Sequence, residues 1–427
     1  MSSPSLHAAF QEAVGLCARG AFVDADVISR RLLAAGTSAE LLHLQGVIAM
    51  ELGDLDLAVE VLARAVEIAP QSADLLACAA LAASRAGRQH AAVELYERAL
   101  HWDPHNLAAL CGLGAVLQQS GDLMQAHRVF AACVSSHPGE ARAWCNLGGI
   151  AVALGLSQQA EAAYRRAVQL APSLVAGHQG LLYVLDSTGQ GAQRNAAVQA
   201  WASACPDDPT ASHLARSLHS GEPPRRCSAE FVAHYFDRFA ATYDAVLEQL
   251  DTAVVRTFAA IWRDHQISAE CVLDFGCGTG SASAWLAAPG RRIVGVDLSP
   301  AMLERARGSG HFDALHCADG IAFLEATNER FDAVVLADVL PYFGALTPLF
   351  DALIRCLHAR AHVLLCFEQG SSPGYRLAPT GRFQHHIDEV RRAAESSGFA
   401  VAMLQTGDLR REGRLFVEGG YALLRRG

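Results

Sequence analysis

Small and large apolar residues recur along the first half of the chain at a spacing of 34 residues. Each period has a small residue, a large residue, a second small residue and then a proline, as expected for one helix face that ends at the proline. The clearest periods are Ala58-Leu62-Ala65-Pro70, Ala92-Tyr96-Ala99-Pro104, Ala126-Phe130-Cys133-Pro138 and Ala160-Tyr164-Ala167-Pro172. A weaker period begins at Ala25, and a last one at Ala197 is predicted to shift by three residues after a longer loop, Ser187–Gln193. The pattern predicts stacked helix pairs with atypical terminal units.

The pattern changes after His219–Arg226, where one glycine, two prolines and two arginines interrupt the helical period. Beyond this point short apolar runs alternate with helical segments. We predict strands at Cys271–Phe275, Arg292–Val296, Ala314–Cys317, Asp332–Ala337, Ala361–Phe367, Ala400–Leu404 and Gly420–Leu424. Such alternation is typical of a largely parallel sheet covered by helices on both faces. The predicted organisation is a helical array over 1–218, a linker over 219–227 and an α/β domain over 228–427 that folds alone.

The repeated pattern resembles the tetratricopeptide repeat, a helix–turn–helix unit, and indicates about five to six repeats. The resemblance implies that the array binds a protein or peptide in its groove. The consensus positions themselves specify packing rather than function. The fold class is therefore predicted to be an N-terminal α-solenoid followed by an α/β domain.

Composition fits a folded chain of more than one domain, since 427 residues are 51% hydrophobic and only 18% charged. No apolar run approaches the roughly 20 residues that a membrane-spanning helix needs. The N-terminus lacks a basic stretch followed by an apolar one, so we expect no secretory signal. These features predict a cytoplasmic protein that does not bind membranes.

Charge excludes several kinds of site. All 34 basic residues are arginine, so neither a lysine Schiff base nor a Walker-type phosphate lysine is present in this sequence. The chain carries a net charge of −10, with −7 in residues 1–210, and such a balance does not favour nucleic acid as a partner. The 12 cysteines include no C-x-x-C pair, which argues against a zinc site and a disulfide framework.

The most informative segment follows the first predicted strand and reads Asp274-Phe275-Gly276-Cys277-Gly278-Thr279-Gly280. Glycines at alternate positions let the backbone pass close to a ligand. The second strand ends at Asp297, where a carboxylate can accept hydrogen bonds from ribose hydroxyls, and Asp319 after the third strand can accept from an adenine amino group. A dinucleotide-binding loop has G-x-G-x-x-G, whereas here the third glycine comes one residue early. A dinucleotide site and a purely structural turn remain the alternatives.

Four motifs follow one another along the chain: D-x-G-C-G-T-G, V-G-V-D-x-S-x-x-M-L, A-D and F-D-x-V. In this order they resemble the class I S-adenosylmethionine (SAM) dependent methyltransferases, and with the array they resemble bacterial repeat-containing methyltransferases. The resemblance implies a Rossmann-like domain with a seven-stranded, mostly parallel sheet and SAM as cofactor. It assigns the methionine end of SAM to Asp274, Gly276, Gly278 and their neighbour Gly280, the ribose to Asp297, and the adenine to Leu298 and Asp319.

Two further segments match the family. Tyr235–Asp244 resembles the helix that covers the SAM pocket in many relatives, which implies a SAM contact for Tyr243. Asp338 lies at the end of the fourth strand, where the substrate side begins. The candidate general bases are Asp338, His385 and His386, followed by Glu368. The two adjacent histidines have no third ligand at convincing spacing, so no metal site is predicted.

The sequence therefore predicts a SAM-dependent methyltransferase whose array recruits a protein partner or a protein substrate. Methylation of adenine or glutamine amides is disfavoured because the N/D-P-P-Y motif is absent. Two alternatives stay open. One is a small-molecule methyltransferase that uses the array only for complex assembly. The other is a non-catalytic scaffold that binds SAM, which the intact loop and both ligand carboxylates argue against.

Overall fold

The computed structural model describes residues 3–219, 221–241, 243–249, 253–412 and 415–427. By its internal contacts the chain divides into two compact units, Met1–Ala197 and Val198–Gly427.

The first unit consists of helix pairs that repeat along the chain. Its helices are α1 (Ser3–Ala18), α2 (Phe22–Ala35), α3 (Ala39–Glu51), α4 (Leu55–Ile68), α5 (Ala73–Arg85), α6 (Gln89–Trp102), α7 (Leu107–Gln119), α8 (Leu123–Ser136), α9 (Ala141–Ala153), α10 (Ser157–Leu170), α11 (Val175–Ser187) and α12 (Gly191–Ala204), the last of which continues past the division. A glycine in the left-handed region joins the helices of each pair, at Gly20, Gly53, Gly87, Gly121, Gly155 and Gly189. These pairs confirm the predicted helical solenoid.

The small residues of the repeat are the places where the large residues pack. A Cβ added at Gly46 would lie 2.4 Å from Cγ of Leu62, and one at Gly148 would lie 2.9 Å from the ring of Tyr164. Ala58 and Ala160 are fully buried. The alternation of small and large residues therefore sets how closely neighbouring helices approach, as expected of core positions.

The last helix pair corrects one expectation. The helix α12 begins at Gly191, in register with α10, and a short turn at 188–190 precedes it, so the predicted three-residue shift and longer loop are wrong. Arg194 occupies the position of the first small residue and is buried. Its Nε lies 2.9 Å from Oδ1 of Asp186, which compensates the buried charge. The spacing is preserved although the residue type is not.

The second unit alternates strands and helices. Its helices are α13 (Pro209–Ser217), α14 (Ala229–Phe239), α15 (Tyr243–Gln249), α16 (Val254–Asp264), α17 (Pro300–Ser309), α18 (Gly320–Ala326), α19 (Thr347–Arg355) and α20 (Ile387–Ser396), with 3₁₀ turns at Ser281–Leu286 and Leu340–Tyr342. Its strands are β1 (Cys271–Phe275), β2 (Arg292–Asp297), β3 (Ala314–Cys317), β4 (Phe331–Leu336), β5 (Leu357–Gln369), β6 (Tyr375–Leu377), β7 (Phe383–His385), β8 (Phe399–Glu412) and β9 (Leu415–Arg426). Among the helices described in either unit, none has both the length and the apolar character needed to cross a membrane.

The strands form one mostly parallel sheet in the order β3-β2-β1-β4-β5-β7-β6, in which β9 also pairs with β5 and β8. The pairs β1–β2, β1–β4, β2–β3 and β4–β5 are parallel, whereas β9 is antiparallel to both of its neighbours. The order reverses between β1 and β4, and ligands of open α/β sheets bind at this kind of switch point. All seven predicted strands are present, and β6 and β7 are two short strands that the pattern did not predict.

Both faces of the sheet are covered. Val272 of β1 belongs to a cluster that includes Phe258 of α16, whereas its neighbour Leu273 belongs to a second cluster that includes Phe350 of α19. Neighbouring residues of a strand point to opposite faces, so these two clusters lie on the two sides of the sheet. This explains why the strands read as continuous apolar runs rather than alternating ones.

The division between the units lies upstream of the linker expected at 219–227. The helix α13, which we expected to close the array, belongs to the second unit. Nε2 of His213 in α13 is hydrogen-bonded to the carbonyl of Gly381 at 2.8 Å, and Oγ of Ser217 donates to the carbonyl of Pro379 at 3.3 Å. The helix α13 therefore packs against the loop that precedes β7 of the second unit.

Candidate active site

The loop after β1 makes a tight turn through three glycines. The φ values are positive at all three, 73° at Gly276, 54° at Gly278 and 81° at Gly280. Residues other than glycine rarely adopt this backbone conformation. A Cβ at Gly276 would lie 2.7 Å from Cγ2 of Val339. A Cβ at Gly278 would lie 3.8 Å from Cε1 of Tyr243, which is ordinary van der Waals contact. The positive φ is therefore what favours glycine at this position.

A cavity opens beside this loop. One wall is formed by the carboxyl ends of neighbouring strands, at Val296–Leu298, Ala318–Gly320 and Ala337–Val339. The other wall includes Tyr243 and, ahead of α14, Arg226. The cavity therefore lies at the switch point of the sheet, and its lining includes Asp297, Leu298 and Asp319 of the predicted site.

Asp297 is held at the end of β2 by backbone donors. Its Oδ2 accepts a hydrogen bond from the amide of Gly278 at 2.9 Å, and its Oδ1 accepts from the amide of Ser299 at 2.8 Å. Burial raises the pKa of Asp297, and the two amide bonds partly oppose that rise. The carboxylate is therefore fixed beside the glycine loop and exposed to the cavity, where it can accept from two adjacent hydroxyls.

Asp319 lies one strand further along. Its Oδ1 accepts a hydrogen bond from the amide of Ala322 at 3.1 Å, so it caps the N-terminus of α18. Nη1 of Arg226 lies 3.1 Å from Oδ1 and 2.9 Å from Oδ2 of the same carboxylate. Asp297 and Asp319 thus line one wall of the cavity, as their positions after successive strands predict.

Two aspartates of the Tyr235–Asp244 segment hold the helices α14 and α15 against residues that follow β1 and β2. Oδ1 of Asp237 in α14 accepts from Oγ of Ser299 at 2.5 Å. Oδ1 of Asp244 in α15 accepts from Oγ1 of Thr279 at 2.6 Å, and its Oδ2 lies 3.1 Å from Nη2 of Arg305. Each aspartate of the Tyr235–Asp244 segment therefore ties one helix to the chain that follows a strand, Asp237 after β2 and Asp244 after β1.

Tyr243 borders two neighbouring cavities. It lines the cavity beside the glycine loop and also a second one, whose walls include Leu247, Val255 and Leu409. Burial raises the pKa of the Tyr243 phenol, so the hydroxyl is neutral at physiological pH. Gly278 and Asp338 also border both cavities, so the two cavities adjoin at the glycine loop.

Asp338 has an unusual backbone conformation for its residue type. Its φ is 57°, and its amide donates to Sγ of Cys366 at 3.2 Å. Nη2 of Arg382 lies 2.6 Å from Oδ1 of Asp338, and Nη1 of Arg382 donates to the hydroxyl of Tyr342 at 3.1 Å. A non-glycine residue in the left-handed region is uncommon and persists only when its surroundings hold it. Here the arginine and the thiol do so.

A second acid completes this ionic cluster. Oε1 of the buried Glu368 lies 2.5 Å from Nε of Arg382 and 2.7 Å from Nη2 of Arg410. Burial of Glu368 opposes its charged form, but the two guanidinium groups outweigh burial and lower its pKa. Glu368 is therefore committed to an ion pair and does not serve as a free base. The formal charges of the two acids and two arginines cancel.

Comparison with known families accounts for this arrangement. Residues 273–365 match a family model described as a methyltransferase domain, and residues 39–72 and 111–174 match models of the tetratricopeptide repeat. The chain joins tetratricopeptide repeats to a methyltransferase domain. The residues matched by the methyltransferase model run from β1 to β5 and include the glycine loop, Asp297 and Asp319, in agreement with the methyltransferase resemblance stated from the sequence.

Two relatives of similar sequence each match about a fifth of this chain. An uncharacterized methyltransferase of Bacillus velezensis is 35% identical over 85 residues, which is 18% of this chain and 38% of the relative. Human methyltransferase-like protein 27 is 33% identical over 96 residues, 19% of this chain and 35% of the relative. The chain thus spans little more than a third of the length of each. A solved 1,6-didemethyltoxoflavin-N1-methyltransferase of Burkholderia thailandensis is 19% identical, with a TM-score of 0.39 over 48% of this chain and 93% of the other.

The two histidine candidates of the methyltransferase domain do not lie in the cavity. His385 in β7 is fully buried, and its Nε2 donates to the carbonyl of Phe343 at 2.8 Å. Burial lowers the pKa of His385 to about 4, so the ring is neutral at physiological pH. Nδ1 of His386 accepts from the amide of Asp388 at 3.3 Å, so this residue caps α20. Both contacts are structural, and neither histidine is among the described residues that line the two cavities.

Asp274 also lies behind the cavity wall. It is buried at the end of β1, where Oγ of Ser283 donates to its Oδ2. Burial raises the pKa of Asp274 to about 7. Among the described residues that line the two cavities, Gly276 and Gly278 appear but Asp274 does not. Its predicted contact with the methionyl amino group stays a prediction.

Sequence reasoning missed Arg226, Arg382 and Arg410. Arg226 lies in the segment that was expected to be a linker, and Arg382 precedes a strand of three residues that the pattern did not predict. Arg410 lies in β8, far along the chain from the motifs. Arg226 and Asp319 are 93 residues apart, Arg382 and Asp338 are 44 apart, and Arg410 and Glu368 are 42 apart. Such separations carry no local pattern, since only the fold brings the partners together.

Proposed function

We propose that this chain transfers the methyl group of SAM to an acceptor recruited by its tetratricopeptide array. The observation that carries the transfer is the cavity at the sheet switch point, which brings the glycine loop, Asp297 and Asp319 together. The assignment of SAM to this cavity is supported by Asp297 and Asp319 along one wall, Gly276 and Gly278 beside them, and apolar side chains elsewhere. SAM supplies an activated methyl group, so the protein mainly has to bind, align and exclude water.

The residues that would hold SAM follow from their places in the cavity. Asp297 would accept from the ribose hydroxyls, Asp319 from the adenine amino group, and Leu298 would pack on the base. The Gly276–Gly280 loop would carry the methionyl part, with Tyr243 covering it. Cavity-facing backbone at Gly278 and the phenol of Tyr243 support the last two assignments.

The test of this cofactor assignment is the affinity for S-adenosylhomocysteine, measured by calorimetry on the full chain. We expect a dissociation constant in the micromolar range, which corresponds to a binding free energy of roughly 7–8 kcal/mol in magnitude. Asp297→Ala leaves ribose hydroxyls without their acceptor and should weaken binding by about 1–3 kcal/mol. Asp313→Ala is a matched control, because Asp313 accepts from a backbone amide on the same sheet but does not line the cavity. Binding of NAD in place of S-adenosylhomocysteine would overturn the assignment.

The acceptor is proposed to meet Asp338. Its carboxylate borders both cavities and is oriented by Arg382, so it can accept a hydrogen bond from an N–H or O–H nucleophile and align it. His385, His386 and Glu368 are held in structural contacts and are not proposed as bases. Positioning rather than strong base catalysis is the role that this geometry supports.

A protein acceptor or partner is proposed for the array. Leu81 and Tyr183 occupy equivalent positions in the first helices of their repeats and are 45% and 60% exposed. Exposed large apolar side chains at repeat-equivalent positions are typical of a docking surface. The net charge of −7 in residues 1–210 suits a neutral or basic partner, with association that weakens as salt rises.

The test uses SAM with a labelled methyl group and a cell lysate depleted of SAM. Leu81→Glu/Tyr183→Glu should reduce protein labelling by about tenfold, since two apolar contacts are lost, and should leave S-adenosylhomocysteine binding unchanged. Met124→Glu, at another exposed apolar position of the array (63% exposed), is the control. Undiminished labelling of proteins would contradict recruitment by this surface. Label confined to small molecules would favour the small-molecule alternative, and binding without any turnover would favour a scaffold.

A further inference from the structure

The segment Pro224–Cys227, here called the joining segment, connects α13 to α14 and is fixed by backbone hydrogen bonds. The amide of Cys227 donates to the carbonyl of Tyr342 at 2.9 Å, and the carbonyl of Arg225 accepts from the amides of Gly344 and Ala345, each at 2.8 Å. Arg226 forms an antiparallel bridge with Phe343. The joining segment thus pairs with the chain that follows β4, one wall of the cofactor cavity.

Side-chain packing holds the same segment in place. A Cβ added at Gly344 would lie 2.8 Å from the carbonyl oxygen of Pro224, so the two backbones are in close contact. Cys227 is 4% exposed and packs in a cluster with Phe231 and Phe383. A segment with these contacts has little freedom, and its side chains have defined directions.

Arg226 is the side chain that this arrangement directs at the cavity. Its Nη1 lies 3.1 Å and 2.9 Å from the two oxygens of Asp319, and both residues line the cavity. The amide of Ala322 holds Oδ1 of Asp319 from the other side at 3.1 Å. The side chains of Arg226 and Asp319 are 46% and 23% exposed, so the contact is partly solvated and its effect is modest.

We propose that Arg226 is a positioning residue of the adenine subsite that acts through Asp319. The inference rests on the proposed function, in which Asp319 accepts from the adenine amino group. The guanidinium and the helix cap together fix the carboxylate in one orientation before the ligand arrives. The affinity for the ligand is higher because binding no longer has to bear the entropy cost of ordering that side chain. The adenine subsite therefore includes Arg226, which precedes α14, and depends on the joining segment.

The experiment measures dissociation constants of the full chain for S-adenosylhomocysteine and for methylthioadenosine, which lacks the amino-acid tail. Arg226→Ala should weaken both ligands by the same factor, about threefold to tenfold, because the effect arises at the base. Arg225→Ala is the matched control, since Arg225 is the neighbouring exposed arginine and contributes its backbone carbonyl to the bridge. Arg226→Lys should recover most of the loss, since it restores a cation at this position.

A double-mutant cycle separates this inference from the cofactor assignment. If Arg226 acts through Asp319, Arg226→Ala should weaken binding no further in an Asp319→Ala background. Full additivity, or equal losses in Arg225→Ala and Arg226→Ala, would overturn the inference. A loss for S-adenosylhomocysteine that is absent for methylthioadenosine would also overturn it. If Asp319→Ala itself binds like the unmodified chain, the assignment of Asp319 to adenine fails. If Asp319→Ala binds weakly and Arg226→Ala does not, the positioning role alone fails.

Discussion

Asp274 and His385 are buried titratable side chains whose pKa values move in opposite directions for one reason. Burial disfavours the charged form of each, so the pKa of Asp274 rises to about 7 and that of His385 falls to about 4. The His385 imidazole is therefore neutral at neutral pH, whereas Asp274 titrates near it. The hydrogen bond from Ser283 to Asp274 and the one from His385 to the carbonyl of Phe343 oppose these shifts, but burial outweighs both.

This leads to opposite pH dependences of stability for two variants. The lowered pKa of His385 means that its stabilising contribution is present above pH 6.5 and is lost as pH falls toward 4, by about 3 kcal/mol in total. The raised pKa of Asp274 means that its contribution is present below pH 3.8 and is lost as pH rises through 7, by about 4 kcal/mol. His385→Gln should thus gain stability relative to the unmodified chain in acid, and Asp274→Asn should gain it at alkaline pH.

The measurement is urea unfolding of the unmodified chain, His385→Gln and Asp274→Asn between about pH 4.5 and about pH 8.5. For each variant, the difference in free energy of unfolding from the unmodified chain is plotted against pH. The unmodified chain alone is a poor test, because the two contributions partly cancel. His385→Gln should also bind S-adenosylhomocysteine normally, since His385 is held away from the cavity. The burial of these two groups would not explain their pKa shifts if the stability differences did not change with pH, or if both changed in the same direction.

At the scale of elements, the sequence predicts what is set by repetition or by a local motif. The repeat helices were predictable from their 34-residue repeat, and the seven main strands from their short, continuous apolar runs. The strands β6 and β7 have three residues each and form by pairing with one another and with the end of β5. The start of α12 was misplaced because Arg194 stands where a small residue was expected, and only its ion pair with Asp186 makes that substitution acceptable. The glycine loop, Asp297 and Asp319 were found for the opposite reason, since each follows its own strand directly.

At the scale of the whole molecule, the methyltransferase domain depends on chain that precedes its motifs. The joining segment pairs with the residues after β4, and α13 contacts the loop before Arg382 through His213. Arg382 in turn holds Asp338 and Glu368. The helix α13 and the joining segment therefore contact the loop before Arg382 and the carboxylate of Asp319, although neither their composition nor their spacing predicts this. The functional unit of the domain is longer than the motif region.

The last prediction concerns two fragments of the second unit. A fragment of residues 198–427 should fold and bind S-adenosylhomocysteine with the affinity of the full chain, because it retains α13 and the joining segment. A fragment of residues 228–427, which the sequence pattern alone favours, loses Arg226, Cys227 and the contact of His213 with Gly381. Phe231 and Phe383 then lose part of their packing, which should lower the free energy of unfolding by several kcal/mol. For comparison, core substitutions that leave a cavity cost about 2–5 kcal/mol. Circular dichroism during thermal unfolding and calorimetry with S-adenosylhomocysteine compare the two. Equal melting temperature and equal affinity would show that the α/β domain is complete from residue 228, and the dependence on residues 209–227 would then be wrong.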